Sequence, residues 1–451
     1  MTFLKSLPSA GTFLGVAAIL LAGCHSDDLS RAAMPWRVSH DAIQTPYPDG
    51  VPHTDRQGRP RLGFDPDVSF FPVGIYHGLT GTYGSMTYSF EPIADAGFNT
   101  VVAWGDVPTD AVLDAATRHG LQVIMSLPRD DDVVLARDHE NVLGFDIDHE
   151  PSIAKTPSLV LERLDAFEQR RSEIRALDPD RAVFTVDYPA VSPERIVGWE
   201  TWRRAGDVTS FWAYPIAGDH SPSVGGPVGV GETVSLAVDA VGADKPIWFV
   251  AQAFEGPVFN FDWRMPTPRQ ARAMAYAAMV HGASGLIWFS FDSFVTRNGD
   301  VIGISPSPRS DYGVVLDHAL TGQTPLRAGA RQAEESRDLW DAVVALNPEF
   351  TEQRELWLSP TADRDYQVEI RGGHTSRVPI RTQLKKTRDG LYLVAVNVDE
   401  DPVDFRIGFD TPVERLALVA GDDGAAILDG RVAGTLSGFG SFVLKLTSMD
   451  R

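Results

Sequence analysis

The hydrophobic pattern between residues 70 and 291 alternates between two kinds of segment. Short continuous apolar runs are typical of buried parallel strands, and segments with apolar residues at every third or fourth position are typical of amphipathic helices. Helices are predicted near residues 91–96, 110–119, 159–177 and 267–281. Strands are predicted at residues 70–76, 97–104, 121–127, 141–151, 182–186, 208–214, 246–251 and 285–291.

Eight strands, each followed by a crossover, predict an α/β fold of the (β/α)8 type, a TIM barrel. We assign residues 64–346 to this barrel, which would be the catalytic domain. A doubly wound open sheet is the structural alternative. No Gly-x-Gly-x-x-Gly pattern follows the first strand, so the sequence gives no sign of a dinucleotide site.

The pattern changes after the eighth strand. An irregular loop at 296–309 and a helix at 328–346 lead into short strands separated by Gly, Asp and Pro turns. This composition predicts a small all-β sandwich over residues 347–451. Its predicted strands are 355–358, 367–370, 391–397, 403–407, 416–419 and 442–446.

The N-terminal residues have the pattern of a targeting segment. Lys5 precedes an apolar stretch that is too short to span a bilayer comfortably, and the stretch ends in Leu21-Ala22-Gly23-Cys24. This run resembles the lipobox of bacterial lipoproteins. The resemblance implies a signal peptide over residues 1–24, lipidation of Cys24 and attachment to the membrane by that anchor alone. With His25 rather than Asp next, it also implies the outer membrane of a Gram-negative bacterium.

Residues 25–63 are polar and lack a sustained period, so we predict a tether that becomes ordered near the barrel. The chain's formal net charge of −21 repels phosphate backbones and indicates that nucleic acid is not a partner. Cys24 is the only cysteine, and none of the 11 histidines forms His-Glu-x-x-His. We therefore expect no disulfide, no metal and no cofactor, and we expect a monomer.

The fourth predicted strand carries the strongest chemical signal. It reads Asn-Val-Leu-Gly-Phe-Asp-Ile-Asp-His-Glu-Pro from Asn141 to Pro151. Acids at the end of a buried strand lie at the rim of the sheet, where α/β enzymes hold their catalytic groups. Glu150 is the first catalytic candidate among these acids. Asp146 and Asp148 alternate with it and would share its face. The plainer interpretation is that these acids are loop charges.

Three short motifs together resemble the clan-A-type (β/α)8 glycoside hydrolases that carry a C-terminal β-sandwich. They are His149-Glu150-Pro151, the aromatic strand end at 210–216 and the strand at 282–290, and the resemblance spans about residues 70–446. It implies that Glu150 is the acid/base residue and that Trp288 forms the floor of a sugar subsite. It also implies a carbohydrate substrate, a poly- or oligosaccharide whose O-glycosidic bonds are cleaved.

The second carboxylate departs from that family pattern. The family places a nucleophilic Glu at the end of strand seven, where this chain has Ala251 or Gln252, and Glu255 follows three residues later. A bulge would bring Glu255 into the cleft, and we predict it as the nucleophile of a retaining enzyme. Alternatively, Glu255 is a loop acid and Gln252 holds a sugar hydroxyl. Three other acids at predicted strand ends are alternatives for the second carboxylate: Asp106, Asp187 and Asp292. The predicted substrate-binding residues are Tyr76, Trp104, Asp148, His149, Asp187, Tyr214, Gln252, Trp288 and Asp292.

Two other functions remain open. Asp146-x-Asp148-x-Glu150 is also similar to the motif of family-18 chitinases, which implies that Asp148 would steer a substrate acetamido group with help from Tyr214. The upstream acids and glycines of that motif are missing, and Pro151 follows Glu150 directly. A non-catalytic surface lipoprotein that binds glycans is the second alternative, and Gln252 at the end of strand seven favours it.

Overall fold

The computed structural model describes most of the chain from residue 34 onward. The segment 1–33, which includes Cys24, and the position of Trp104 and Asp106 lie outside the described residues. Of the helices in the described part, none has both the length and the apolar composition needed to cross a bilayer. The described residues are 34–43, 47–77, 82–83, 86–87, 90–103, 108–151, 156–187, 202, 205–217, 229–242, 244–258, 261–296, 298–305, 313–315, 323–324, 330–373 and 378–448.

Eight parallel strands form a closed barrel in sequence order, with β8 paired to β1. This confirms the predicted (β/α)8 fold and excludes an open sheet. The strands are β1 (Val73–His77), β2 (Thr100–Ala103), β3 (Gln122–Ser126), β4 (Val142–His149), β5 (Ala182–Asp187), β6 (Val208–Ala213), β7 (Ile247–Gln252) and β8 (Gly285–Phe289).

The helices of the described part surround the barrel or follow it. The best-defined ends belong to the helix at 268–281, where Thr267 forms a capping box with Gln270 and Gly282 ends the helix in the left-handed conformation. The helices are α1 (Glu91–Asp95), α2 (Asp110–Arg118), α3 (Asp130–Ala136), α4 (Pro157–Leu177), α5 (Val230–Val241), α6 (Pro268–His281), α7 (Ala330–Thr351) and α8 (Arg354–Leu358).

Strand β8 shows how the barrel sorts its side chains. Leu286 and Trp288 belong to the apolar layer between the strands and the helices, whereas Ile287 and Phe289 pack with the residues inside the barrel. Successive residues of a strand point to opposite faces, so the register of the strand determines which of its side chains face the inside of the barrel. In β8 this register directs Trp288 towards the helices and Phe289 towards the inside of the barrel.

The segment predicted as a tether is folded in its described part, which corrects that prediction. Its strands at His53–Asp55 and Pro60–Arg61 form an antiparallel sheet with Ser69–Phe70. In the turn, a Cβ at Gly58 would lie 2.5 Å from the main-chain oxygen of Leu143, at the N-terminal end of β4. The segment therefore covers the end of the barrel opposite the predicted site. Such short strands lack the length from which a period can be recognised.

The C-terminal residues form two antiparallel sheets that enclose a second apolar core, as predicted for a sandwich. The N-terminal strand Arg37–Val38 adds to the first sheet by pairing with Tyr366–Gly372. In spatial order, the first sheet continues with Val403–Phe409, Arg431–Leu436 and Ala425–Leu428. The second contains Ile380–Thr387, Gly390–Asn397, Ser441–Ser448 and Val413–Gly421.

Two predictions near the domain boundary were wrong. Residues 355–358 form helix α8 rather than a strand, because a short buried apolar run does not by itself distinguish the two. The helix predicted to end at 346 continues to Thr351, where Glu349 binds Arg272 of α6 at 2.7 Å. Arg272 also donates to Ser441 of the sandwich at 2.8 Å, so one side chain joins both domains.

Candidate active site

A cavity of about 290 Å³ lies at the C-terminal end of the barrel. This is the end at which (β/α)8 enzymes place their active sites. Its titratable acid and imidazole are Glu150 and His149, at the end of β4. Seven aromatic side chains form most of its wall: Tyr76, Trp212, Tyr214, Phe254, Trp263, Phe289 and Phe294. The remaining lining residues are Val186, Val250, Val258 and Thr296.

Glu150 directly follows β4, and its φ of +52° is in the left-handed region, which non-glycine residues seldom adopt. Its N–H donates to the main-chain oxygen of Val186 on β5 at 2.7 Å, and its Oε1 accepts a hydrogen bond from the indole N–H of Trp212 at 2.8 Å. Burial raises the pKa of the Glu150 carboxyl, while the Trp212 bond and the charges of His149 and Arg163 oppose the rise. The result is an acid that keeps its proton to higher pH than a free side chain does.

Arg163 of α4 holds the backbone around Glu150. Its guanidinium donates to the main-chain oxygens of His149 at 3.1 Å and Glu150 at 3.2 Å, and more weakly to that of Pro151 at 3.4 Å. It also binds Oδ1 of Asp148 at 2.6 Å. The planar donors of arginine suit several acceptors at once. The unusual conformation at Glu150 is therefore fixed from outside the strand.

Asp146 and His149 form a close carboxyl–imidazole pair on β4. The carboxylate of Asp146 is fully buried and contacts Nε2 of His149. Burial raises the pKa of Asp146. Burial alone would lower the pKa of His149, but the adjacent Asp146 carboxylate leaves that pKa raised above its usual value. Because His149 lines the cavity, the pair places an imidazole held by a carboxylate next to Glu150.

The aromatic wall is packed ring against ring. Tyr214 stacks on Trp212 with ring centres 4.5 Å apart and lies nearly parallel to Phe289 at 6.1 Å. Phe254 and Trp263 contact the same ring edge-on at 5.0 and 5.6 Å. Burial raises the pKa of the Tyr214 hydroxyl well above its usual value, so this tyrosine remains neutral at physiological pH. Mutual packing of this kind fixes the shape of the wall.

The structure does not place Glu255 in the cavity, contrary to the prediction. After β7 the backbone of Glu255 pairs with Ile302, and its side chain is directed to α7. There Oε1 accepts hydrogen bonds from Arg331 at 2.7 Å and Gln332 at 3.2 Å. The bridge with Ile302 positions the segment after β7 differently from the bulge that was expected. Among the described lining residues, Glu150 is the sole carboxylate.

Several other predicted site residues also lie away from the cavity lining. Gln252 is fully buried. Its side-chain amide forms hydrogen bonds with the backbone of Ile216 and Arg264 and so holds their segments against β7. Asp292 lies 3.0 Å from Nδ1 of His77, and both side chains are buried. The remaining residues of this group are Asp148, bound by Arg163, Trp288, in the layer under the helices, and Asp187, buried at the end of β5.

Four of the predicted residues do come together at the cavity: Tyr76, His149, Glu150 and Tyr214. Arg163 was not predicted, because its contact with Glu150 depends on how α4 lies against β4. Phe289 was not predicted as a site residue either, although it ends β8 and an inward register would have assigned it to the cavity. Within the described residues, no three His, Cys, Asp or Glu side chains cluster as metal ligands would.

Comparisons with known proteins bear on the fold. No family model matches the chain, and no curated protein matches it significantly in sequence. Amy13B of Eubacterium rectale is similar in structure with a TM-score of 0.50 and 8% identity, over 89% of this chain and 99% of that protein. An alpha-amylase from H. orenii is similar with a TM-score of 0.47 and 9% identity, over 84% of this chain and 99% of that protein. A GH30 endoxylanase from Clostridium papyrosolvens C71 is similar with a TM-score of 0.44 and 12% identity, over 88% of this chain and 98% of that protein. At 8% identity, the likeness to Amy13B supports the fold over most of the chain.

Proposed function

We propose that this protein is a glycoside hydrolase in which Glu150 is the general acid. One observation carries the proposal: a half-buried carboxyl at the end of β4 lines an aromatic cavity and has a raised pKa. An acid that must donate a proton near neutral pH needs such an environment. The substrate class follows from the sequence resemblance, which led us to expect the O-glycosidic bond of a poly- or oligosaccharide.

The mechanism begins with Glu150 protonated. As the glycosidic bond breaks, its carboxyl donates the proton to the departing oxygen, and the indole N–H of Trp212 then stabilises the carboxylate that forms. Arg163 keeps the Glu150 backbone in place during this step. Water then adds to the anomeric carbon, and the proton that this water loses passes through solvent to the Glu150 carboxylate and restores the acid. The described lining contains no second carboxylate to act as nucleophile or base.

The same geometry weighs against a chitinase-like mechanism. In that mechanism the acid two residues before Glu150 has to reach the substrate. Here Asp148 is bound by Arg163 at 2.6 Å, and burial raises its pKa. Asp148 is also absent from the cavity lining, although Tyr214 is present. We therefore do not adopt the substrate-assisted mechanism.

Binding of glycans without turnover is the second candidate. The observation that favours it is the engagement of Glu255 by Arg331, which leaves Glu150 as the one carboxylate of the described lining. Hydrolysis needs a second carboxylate or an equivalent group, whereas binding does not. The two candidates differ in whether new sugar ends appear over time.

The proposal is tested by incubating the protein with a panel of polysaccharides, oligosaccharides and aryl glycosides. We expect new reducing ends from at least one of them, and NMR of the first product then gives the anomeric outcome. Glu150→Gln serves as the control for contaminating activity. Measurable binding of a glycan, with no release of reducing ends by wild type or variant, would replace hydrolysis with glycan capture.

A further inference from the structure

The chemistry of the cavity restricts what can occupy it. A roughly 150 Å³ cavity lined by apolar residues is large enough to bind benzene. The cavity beside Glu150 has about 290 Å³, which is room for one ring with a substituent. The choice is therefore between a single sugar ring and another ring of similar size.

The described wall is mostly apolar. Besides Glu150 and His149, its polar groups are two tyrosine hydroxyls, two indole N–H groups and the hydroxyl of Thr296, and the last three are already bound. The indole N–H of Trp212 is bound to Glu150 and that of Trp263 to the main-chain oxygen of Val258 at 3.3 Å. The hydroxyl of Thr296 donates to Gly299 at 3.0 Å. A pyranose carries hydroxyls around its edge, and each one that is buried without a partner costs about 1–3 kcal/mol. An aromatic ring loses nothing of this kind and gains from contact with the apolar wall.

The groups beside the cavity argue against an ionic occupant. Burial of an ion in a largely apolar cavity costs its hydration, and a Glu150 carboxyl that keeps its proton supplies no opposite charge to offset that cost. Aromatic walls can bind cations, but His149, held by the buried Asp146 carboxylate, places an imidazole with a raised pKa at the same wall. An uncharged group avoids both conflicts. The half-buried rings of Tyr214 and Phe289 give such a group a wall whose shape is already fixed.

The cavity also adjoins the proposed proton donor. The carboxyl of Glu150 that would protonate the departing oxygen forms part of its lining. We propose that the cavity is a binding site for an uncharged aromatic aglycone, so that the substrate class is aryl glycosides or glycans linked to an aromatic group. This inference rests on the proposed hydrolase function for its biological meaning, but the binding site itself can be tested without turnover.

Binding is measured by calorimetry with the Glu150→Gln variant, which keeps the shape of the site. The probes are phenol and the methyl glycosides of glucose, galactose, xylose and N-acetylglucosamine. We expect phenol to bind at least tenfold more tightly than any of the methyl glycosides. Tighter binding of a methyl glycoside would overturn the proposal and make the cavity a sugar subsite.

A matched pair of variants locates the bound phenol. Val258 lines the cavity, and Phe261, its cross-strand partner in the hairpin, is exposed and does not line it. Val258→Trp should fill the cavity and weaken phenol binding at least tenfold, whereas Phe261→Trp should leave it unchanged. Equal affinities in the two variants would place phenol elsewhere and overturn the proposal. Phenol binding that behaves as expected, without hydrolysis of any glycoside by the wild type, would reject the proposed function and retain the aromatic site.

Discussion

Arg163 donates a hydrogen bond from Nη1 to the main-chain oxygen of Glu150 at 3.2 Å. The contact joins a helix to the residue that we propose as the general acid, and it fixes a backbone conformation that a glutamate seldom adopts. The position of the Glu150 carboxyl therefore depends on a side chain outside the cavity lining.

The first prediction concerns Arg163→Lys. Lysine keeps the charge but loses the planar set of donors, so the Glu150 loop should move and kcat should fall by about 10- to 100-fold with little change in KM. Steady-state kinetics measures this, and Arg175→Lys, farther along the same helix, is the control. In Arg163→Ala, added guanidinium should restore part of the rate. A rise in KM with kcat unchanged would show that Arg163 does not position the acid.

The second prediction concerns the bond between Trp212 and Glu150. The indole N–H stabilises the carboxylate and so lowers the pKa of Glu150 against the effect of burial. Trp212→Phe should raise that pKa further. Because the general acid must be protonated, kcat/KM falls as pH rises through its pKa, and the alkaline limb should therefore move to higher pH in the variant. An unchanged limb, or one moved to lower pH, would contradict the assignment.

The third prediction separates Glu255 from the chemistry. Glu255→Gln should keep kcat/KM within about threefold of wild type, because the carboxylate binds Arg331 and does not line the cavity. It should lower the free energy of unfolding by about 1.5–3 kcal/mol, the usual contribution of a hydrogen bond to a charged group. Denaturant unfolding measures the loss. A fall of a hundredfold or more in activity, with rescue of Glu255→Ala by azide, would restore the nucleophile role.

The fourth prediction is a stability change with pH. His281 is buried with Nδ1 2.7 Å from the hydroxyl of Ser235, and burial lowers its pKa to about 3. Below the usual pKa of 6.5, His281 is protonated in the unfolded chain but stays neutral in the folded chain. This site should therefore reduce stability as pH falls from about 6.5 to 3, by at most about 1.4 kcal/mol per pH unit. Unfolding of His281→Leu should show a shallower decline over that range, and an equal slope would contradict the account.

Local patterns were enough to predict the barrel, and the reasons are physical. Strands such as Ala182–Asp187 and Ile247–Gln252 are buried on both faces, so each leaves a continuous apolar run in the sequence. The same pattern identified Glu150, because an acid directly after such a run must lie at the rim.

The rest of the site depends on contacts between distant residues. Glu255 is directed out of the cavity by Arg331, 76 residues away, and no local pattern contains that pairing. The strand register that turns Trp288 towards the helices and Phe289 inward is a one-residue choice, and an all-apolar strand does not reveal it. The hairpin at 53–61 could not be predicted from a local pattern either, because its strands are short and its turn packs against the barrel at Leu143.

The central claim is that Glu150 donates a proton to the leaving group, and Glu150→Gln tests it most directly. The variant keeps the shape and removes the proton, so kcat/KM on a natural glycan should fall by about 10²- to 10⁴-fold. The measurement is the ratio of wild-type to variant kcat/KM for that glycan and for a dinitrophenyl glycoside, whose leaving group needs little protonation. We predict a much smaller loss on the activated substrate. Equal losses on the two substrates, in a variant that folds as the wild type does, would contradict the role of Glu150 as general acid.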